Sequence, residues 1–194
     1  MPASEVVVAL RDVVKDYRSL RPLRVERLDL RRDESVALLG FDQAAAEILV
    51  NLITGATLPD SGDVDIFGVS TRNIADPDAW LIEMDRFGIL SSRVVLLDAF
   101  TVEQNLALPF TLEVEQLSEP VRANVRALAQ EVGLDANLLP GSAGVLDPDG
   151  QLRLRLAKAL ALGPQVLLAE HPNATPCASV LSPTSRLISR PASM

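Results

Sequence analysis

A run from Gly40 to Glu47, "GFDQAAAE", joins a strand-like stretch (Ser35 to Leu39) to a helical one. That layout frames a phosphate-binding loop of the form G-x-x-x-x-G-K-[ST]. Such a loop needs glycines so that backbone N–H groups can turn toward an anion. It needs a lysine for the β/γ-phosphates and a hydroxyl for magnesium. Here the first glycine is Gly40, but the closing positions are Ala45, Ala46 and Glu47. A carboxylate stands where a metal-bound triphosphate calls for a neutral hydroxyl. Asp42 is placed to cap a helix, and Gln43 to Ala46 are good helix formers. The expectation is a helix extended through the loop, with Asp42, and Glu47 near the first turn, supplying the anion that its positive end favours.

The elements that would position this loop follow from periodicity. Val6 to Leu10, Arg24 to Leu30, Ser35 to Leu39, Gly62 to Phe67 and Arg86 to Leu90 have the texture of short strands. Glu47 to Thr54 is helical, with Gly55 as its stop. From Thr101 to Leu139 the texture is helical. Ser118 is the expected cap of a helix whose apolar stripe is Val121, Val125, Leu128 and Val132, with Gly133 as stop. "LDPDG", Leu146 to Gly150, has the form of a Pro-Asp-Gly turn, and its later positions lack the ligands of a calcium loop. A helix follows, then a strand from Val166 to Ala169. Strands alternating with helices predict an α/β layer fold with a smaller early sheet.

A chain of 194 residues suggests one domain, or one carrying an inserted subdomain. A net charge of −8 with only two lysines, Lys15 and Lys158, excludes a nucleic-acid binder that relies on a basic surface. The single cysteine, Cys177, excludes an internal disulfide and a cysteine-based zinc site. No signal peptide and no membrane span is expected, so any membrane role passes through a partner.

Taken in order and spacing, residues 5 to 173 resemble the nucleotide-binding domain of an ABC transporter, especially the lipoprotein- and macrolide-export type. "DVVKDY" is similar to the family's opening, "ESVALLG" to the strand before the Walker A loop, and "LPDSGDVDIFG" to the segment after the first helix. "FTVEQNLALPF" and "LRLAKALALGPQVLLAEHP" match the stretches after the glutamine loop and through Walker B. The resemblance implies a P-loop NTPase-like (RecA-like) core over 1–100 and 147–172, with a small antiparallel β-subdomain. It further implies a helical insertion at 101–146 and a Ser/Pro-rich tail, loop or disordered, at 173–194.

The same register assigns roles residue by residue. Tyr17 takes the place of the aromatic that stacks on adenine, and Ser92 that of the glutamine-loop residue. "LDPDG" replaces the signature, Glu170 the Walker B aspartate and His171 the catalytic glutamate. Ala46 and Glu47 stand at the lysine and hydroxyl positions. Read together, these changes predict a non-catalytic subunit without ATP, magnesium or any other metal, with Tyr17 a weak candidate for nucleotide contact. It would act as a scaffold or regulatory partner in a protein complex. The expected partners are a membrane permease or another ABC-like subunit, and the expected place is the cytoplasm, peripheral on the inner face of the membrane. The alternatives are an atypical ATP-binding or ATP-hydrolysing transporter subunit and a decayed, truncated gene product. In the family, the helical segment 101–146 is what meets membrane subunits.

Overall fold

A computed structural model describes residues 5–74 and 76–170. The chain divides into two compact units, Met1–Met84 and Asp85–Met194.

In the first unit, β1 (Val6–Lys15) pairs antiparallel with β2 (Leu23–Arg31) on one side and β3 (Ser61–Ile66) on the other. A two-residue β4 (Val69–Ser70) completes the order β2-β1-β3-β4. Alternation puts Val8 and Leu10 on one face, opposite Ile66 and Val64, and all four are fully buried. The alternation then slips. Asp12 takes φ +49 and the β1–β3 register shifts between Arg11 and Val14, so Val13 returns to the core. Gly62 permits this irregularity, since a Cβ there would lie 2.3 Å from the Asp12 carbonyl oxygen.

Helix α1 (Gln43–Ile53) buries Leu49, Val50, Leu52 and Ile53 and contacts β3. Its end is pinned by α2 (Pro77–Met84), where Trp80 Nε1 donates to the Thr54 carbonyl at 3.0 Å. The strand expected at Ser35 to Leu39 does not form. Those residues join no ladder and are exposed, Leu39 at 89%. A turn explains the departure: Glu34 Oε2 accepts from the Arg31 N–H, and Asp33 takes φ +63, which ends β2 and turns the chain away.

In the second unit, β5 (Phe87–Leu90) and β6 (Val166–Ala169) run parallel. Three helices pack around them: α3 (Val102–Ala107), α4 (Glu119–Glu131) and α5 (Pro148–Leu160). Leu90, Val102, Leu106, Val125, Leu128, Leu154 and Leu156 form one continuous core. Because Leu90 belongs to it, the contact boundary falls at residue 84, ahead of the change of texture near residue 100. The α4 stripe is as expected from periodicity, with Val125, Leu128 and Val132 buried, Val121 packed against the same core and Gly133 at φ +71. Ser118 is the N-cap residue but its side chain makes no capping bond; its carbonyl accepts from the Arg122 N–H instead. The expected Pro-Asp-Gly turn is a helix start. Asp147 Oδ1 accepts from the Gly150 N–H at 2.7 Å, and Pro148 opens α5. Gly88 lets α5 approach β5, since a Cβ there would lie 2.4 Å from the Ala159 carbonyl.

Replacing Leu154, which is fully buried, with Ala removes core contacts and should cost about 2–5 kcal/mol in urea unfolding. Acid should weaken the first unit. Arg11 and then Arg27 hold the Asp29 carboxyl below its usual range, and Lys15 and then the Asp16 N–H do the same for Asp60. For carboxylates lowered in this way, the stabilisation is complete above the ordinary value of 3.8 and is lost as pH falls through the lowered folded values. Paired Asp29→Asn and Asp60→Asn changes should therefore flatten the decline of the urea midpoint below that value.

Candidate functional site

The loop that could hold phosphate has become the start of α1. Asp42 is extended, with φ −77 and ψ 173, and its Oδ1 accepts from the Ala45 N–H at 2.7 Å. Its carbonyl accepts from the Ala46 N–H at 3.0 Å. Gln43 to Ala46 form the first turn, Ala45 is buried and Ala46 is half-buried. Glu47 comes one residue later, so the first turn itself holds no acid, and Asp42 supplies the capping anion. Gly40 takes φ +85 with open space where a Cβ would project, so the backbone before the cap is left-handed and uncrowded. Tyr17 lies half-buried two residues beyond the end of β1.

In the second unit the sequence-predicted carboxylate, Glu170, directly follows β6, and its N–H donates to the Leu90 carbonyl at 2.9 Å. Its side chain is only 6% exposed. The Ser91 hydroxyl donates to Glu170 Oε2 at 2.6 Å, and Arg93 Nε donates to the same oxygen at 3.2 Å. A terminal guanidinium nitrogen of Arg93 completes the grip on Oε1. A carboxylate this far from water requires such partners, because an unanswered buried charge is strongly unfavourable.

Ser92, at the glutamine-loop position, is exposed, and its neighbour Ser91 is buried and meets Glu170. Ser91 and Arg93 were thus not singled out from sequence. The available signal was the position of Ser91 at the end of a buried four-residue strand, where alternation directs one of two adjacent side chains inward. His171 lies outside the described residues, as do Cys177 and the tail. Among the described residues, no three His, Cys, Asp or Glu groups gather as a metal site. One carboxylate and one hydroxyl are hard oxygen donors, but Arg93 already holds both carboxylate oxygens and the hydroxyl donates to one of them, so these residues as arranged do not fit a divalent cation.

The segment after Arg93 is held along its length. Arg155 Nε and Lys158 Nζ donate to the Val94 and Val95 carbonyls, each at 3.2 Å. Asn105, fully buried, accepts from the Leu97 N–H and donates to the carbonyls of Leu97 and Thr101. Thr101 and Gln104 form a reciprocal capping box that starts α3. The backbone leading away from Glu170 is therefore positioned by α3 and α5.

The Asp42 cap has a measurable consequence. Asp42→Ala should lower stability by about 1 kcal/mol, and Asp42→Asn, which can still accept from the Ala45 N–H, should recover most of it. Equal midpoints for all three proteins in urea melts would show that the carboxylate contributes nothing to the helix.

Comparison with known proteins supplies the rest. No family model matches the chain. It is 31% identical over 171 residues to a methionine import ATP-binding protein of Rhizobium johnstonii, an alignment covering 87% of this chain and 46% of that protein. It is 30% identical over 184 residues to a phosphonates import ATP-binding protein of Anaeromyxobacter dehalogenans, covering 90% of this chain and 36% of that one. The chain thus spans less than half the length of these relatives. Its fold is similar to a dimeric bacterial ABC transporter cassette, with TM-score 0.70 and 23% identity over 89% of this chain and 77% of the other. It also matches that cassette in a post-hydrolysis state bound to ADP and Pi, with TM-score 0.60, 22% identity and coverage of 84% and 72%.

These findings overturn the expectation of a non-enzyme with no use for ATP or magnesium. The relatives are named as ATP-binding proteins, and the matching cassette holds the products of hydrolysis. The expectation failed because it counted lost side chains at Ala46 and Glu47 as a lost ligand. Backbone N–H groups at a helix start also bind phosphate, and they do not depend on side-chain identity. The chain is a homologue of ABC transporter ATP-binding proteins, and it has the P-loop NTPase fold of their cassettes.

Proposed function

We propose that this chain is an atypical ATP-binding and ATP-hydrolysing subunit of an ABC transporter, working on the cytoplasmic side of a membrane permease. The observation that carries the reading is the alignment with import ATP-binding proteins over 87% of the chain. Phosphate would meet the N-terminus of α1, where first-turn N–H groups and the helix dipole favour an anion. Tyr17 would lie against the base. Bound magnesium would neutralise phosphate charge. Asp42 already occupies the helix pole, so nucleotide must displace or share with its carboxylate.

Contact with the permease, and any scaffolding or regulatory role within that complex, falls to the helical segment 101–146. Leu112 and Val145 are exposed there at 89% and 80%. A cavity of about 260 Å³ opens beside Leu138, Ser142 and Val145. Among the described residues no helix is long and apolar enough to cross a membrane, which leaves that contact to the surface.

Titration with a fluorescent ATP analogue tests the reading. Saturable binding is expected, weakened several-fold by Tyr17→Ala. Asp42→Asn should tighten it about threefold to tenfold, because the cap is kept while a like charge beside the phosphates is removed. No saturable binding by the wild-type chain at millimolar nucleotide would sink the proposal.

A further inference from the structure

We propose that the tip of the β1–β2 hairpin, residues 17–24, is a contact for an anionic bilayer surface: Leu20 enters the headgroup layer while Arg18, Arg21 and Arg24 meet lipid phosphates and carboxylates. The chain as a whole carries a net charge of −8, yet from Tyr17 to Val25 it holds three arginines and no acid. All three are exposed, and their guanidinium groups have no hydrogen bond or ion pair among the described residues. Other cations of the same unit are answered: Arg11 and Arg27 by Asp29, Lys15 by Asp60, and Arg72 by the Pro59 and Gly62 carbonyls. Leu20 stands between Arg18 and Arg21 and, at 103%, is the most exposed large apolar side chain among the described residues. A bare leucine flanked by unanswered arginines has the composition of an interfacial segment, where the apolar group leaves water at the level at which the cations meet anions.

The base of the hairpin fixes its tip. Lys15 and Leu23 form the last rung of the ladder, and Leu23 is buried. Asp60 clasps this end: its Oδ1 accepts from Lys15 Nζ at 2.8 Å and its Oδ2 from the Asp16 N–H at 2.7 Å. Asp16 Oδ1 in turn accepts from the Arg18 N–H at 2.9 Å, and Arg18 takes φ +62, which turns the chain. The carboxylates of Asp16 and Asp60 are thus engaged at the base, and the first acid after the tip is the exposed Glu26, two residues past Arg24. Negative charge elsewhere on the chain weighs little at the contact, because salt screens it beyond about 8 Å under physiological conditions. One leucine and three arginines give weak, reversible binding, which would orient a subunit already held by a permease. The contact goes beyond the ATP-binding reading and does not depend on it.

Sedimentation of the full chain with phosphatidylcholine vesicles, with and without phosphatidylserine, tests the contact. Wild type should bind only the vesicles that contain phosphatidylserine, and less as salt rises. Arg18→Gln, Arg21→Gln and Arg24→Gln combined should weaken binding about a hundredfold, at about fivefold for each charge. Leu20→Ser should weaken it about threefold to tenfold. Leu20→Trp should show blue-shifted emission on these vesicles, a shift absent from wild type, whose single tryptophan is Trp80. No phosphatidylserine-dependent binding by wild type, or equal binding by the triple variant, overturns the proposal. Release of wild type by inorganic phosphate at constant ionic strength does so too, since it would give the arginines a free phosphate as their ligand. Loss in the arginine variant, with none in Leu20→Ser and no shift in Leu20→Trp, would mark a purely charged contact such as an acidic protein face offers, and overturns the lipid assignment. A chain that binds the vesicles as expected but no ATP analogue keeps the contact and sinks the nucleotide reading.

Discussion

A carboxylate removed from water at the end of β6 constrains everything around it in the second unit. Glu170 cannot stay charged and enclosed without donors, so the backbone after β5 must bring Ser91 and Arg93 to it. That requirement fixes the parallel pair at one end, where the Glu170 N–H meets the Leu90 carbonyl. At the other end the N–H groups of Gln165 and Val166 both reach the Arg86 carbonyl. Two parallel strands alone are too small a sheet to stand in water. The helices supply what they lack: α5 presses so closely that β5 must offer Gly88, and α3 and α4 close the core over Leu90. The charged contact at the strand ends and the apolar core behind them are parts of one arrangement.

Much of this was legible from residue pattern, and the reasons differ by element. The α4 stripe was visible because its positions at three- and four-residue spacing all face one core, and Gly133 marks a left-handed stop. The sheet of the first unit was visible through alternation at Val8, Leu10, Val64 and Ile66, although the extra residue at Asp12 was not. Ser35 to Leu39 misled because β-propensity shows only that a segment suits a ladder. Whether a ladder is available depends on the turn at Asp33, a tertiary matter. "LDPDG" misled for a related reason, since Asp, Pro and Gly serve a helix start as well as a turn.

The site was less legible than the fold. Gly40, Asp42 and Glu170 were singled out because a frame of strand, loop and helix assigns them positions. Ser91 was not singled out, and neither was Arg93, because a surface arginine after a strand carries no pattern. Its meaning comes from a partner 77 positions away in the chain. The error about ATP had the same root. Side chains are visible in a sequence and backbone amides are not, so a loop stripped of its lysine looked emptier than a helix N-terminus is.

Asp42 and Glu170 belong to different units, yet each meets its own chain in the same way. Asp42 answers the positive end of α1, and Glu170 is answered by Arg93. In both places a charge that a ligand would complement already has a partner. A ligand at either place would exchange one electrostatic contact for another instead of creating one from bare surface. Such an exchange yields less net affinity than an open site, because the protein partner must first be released.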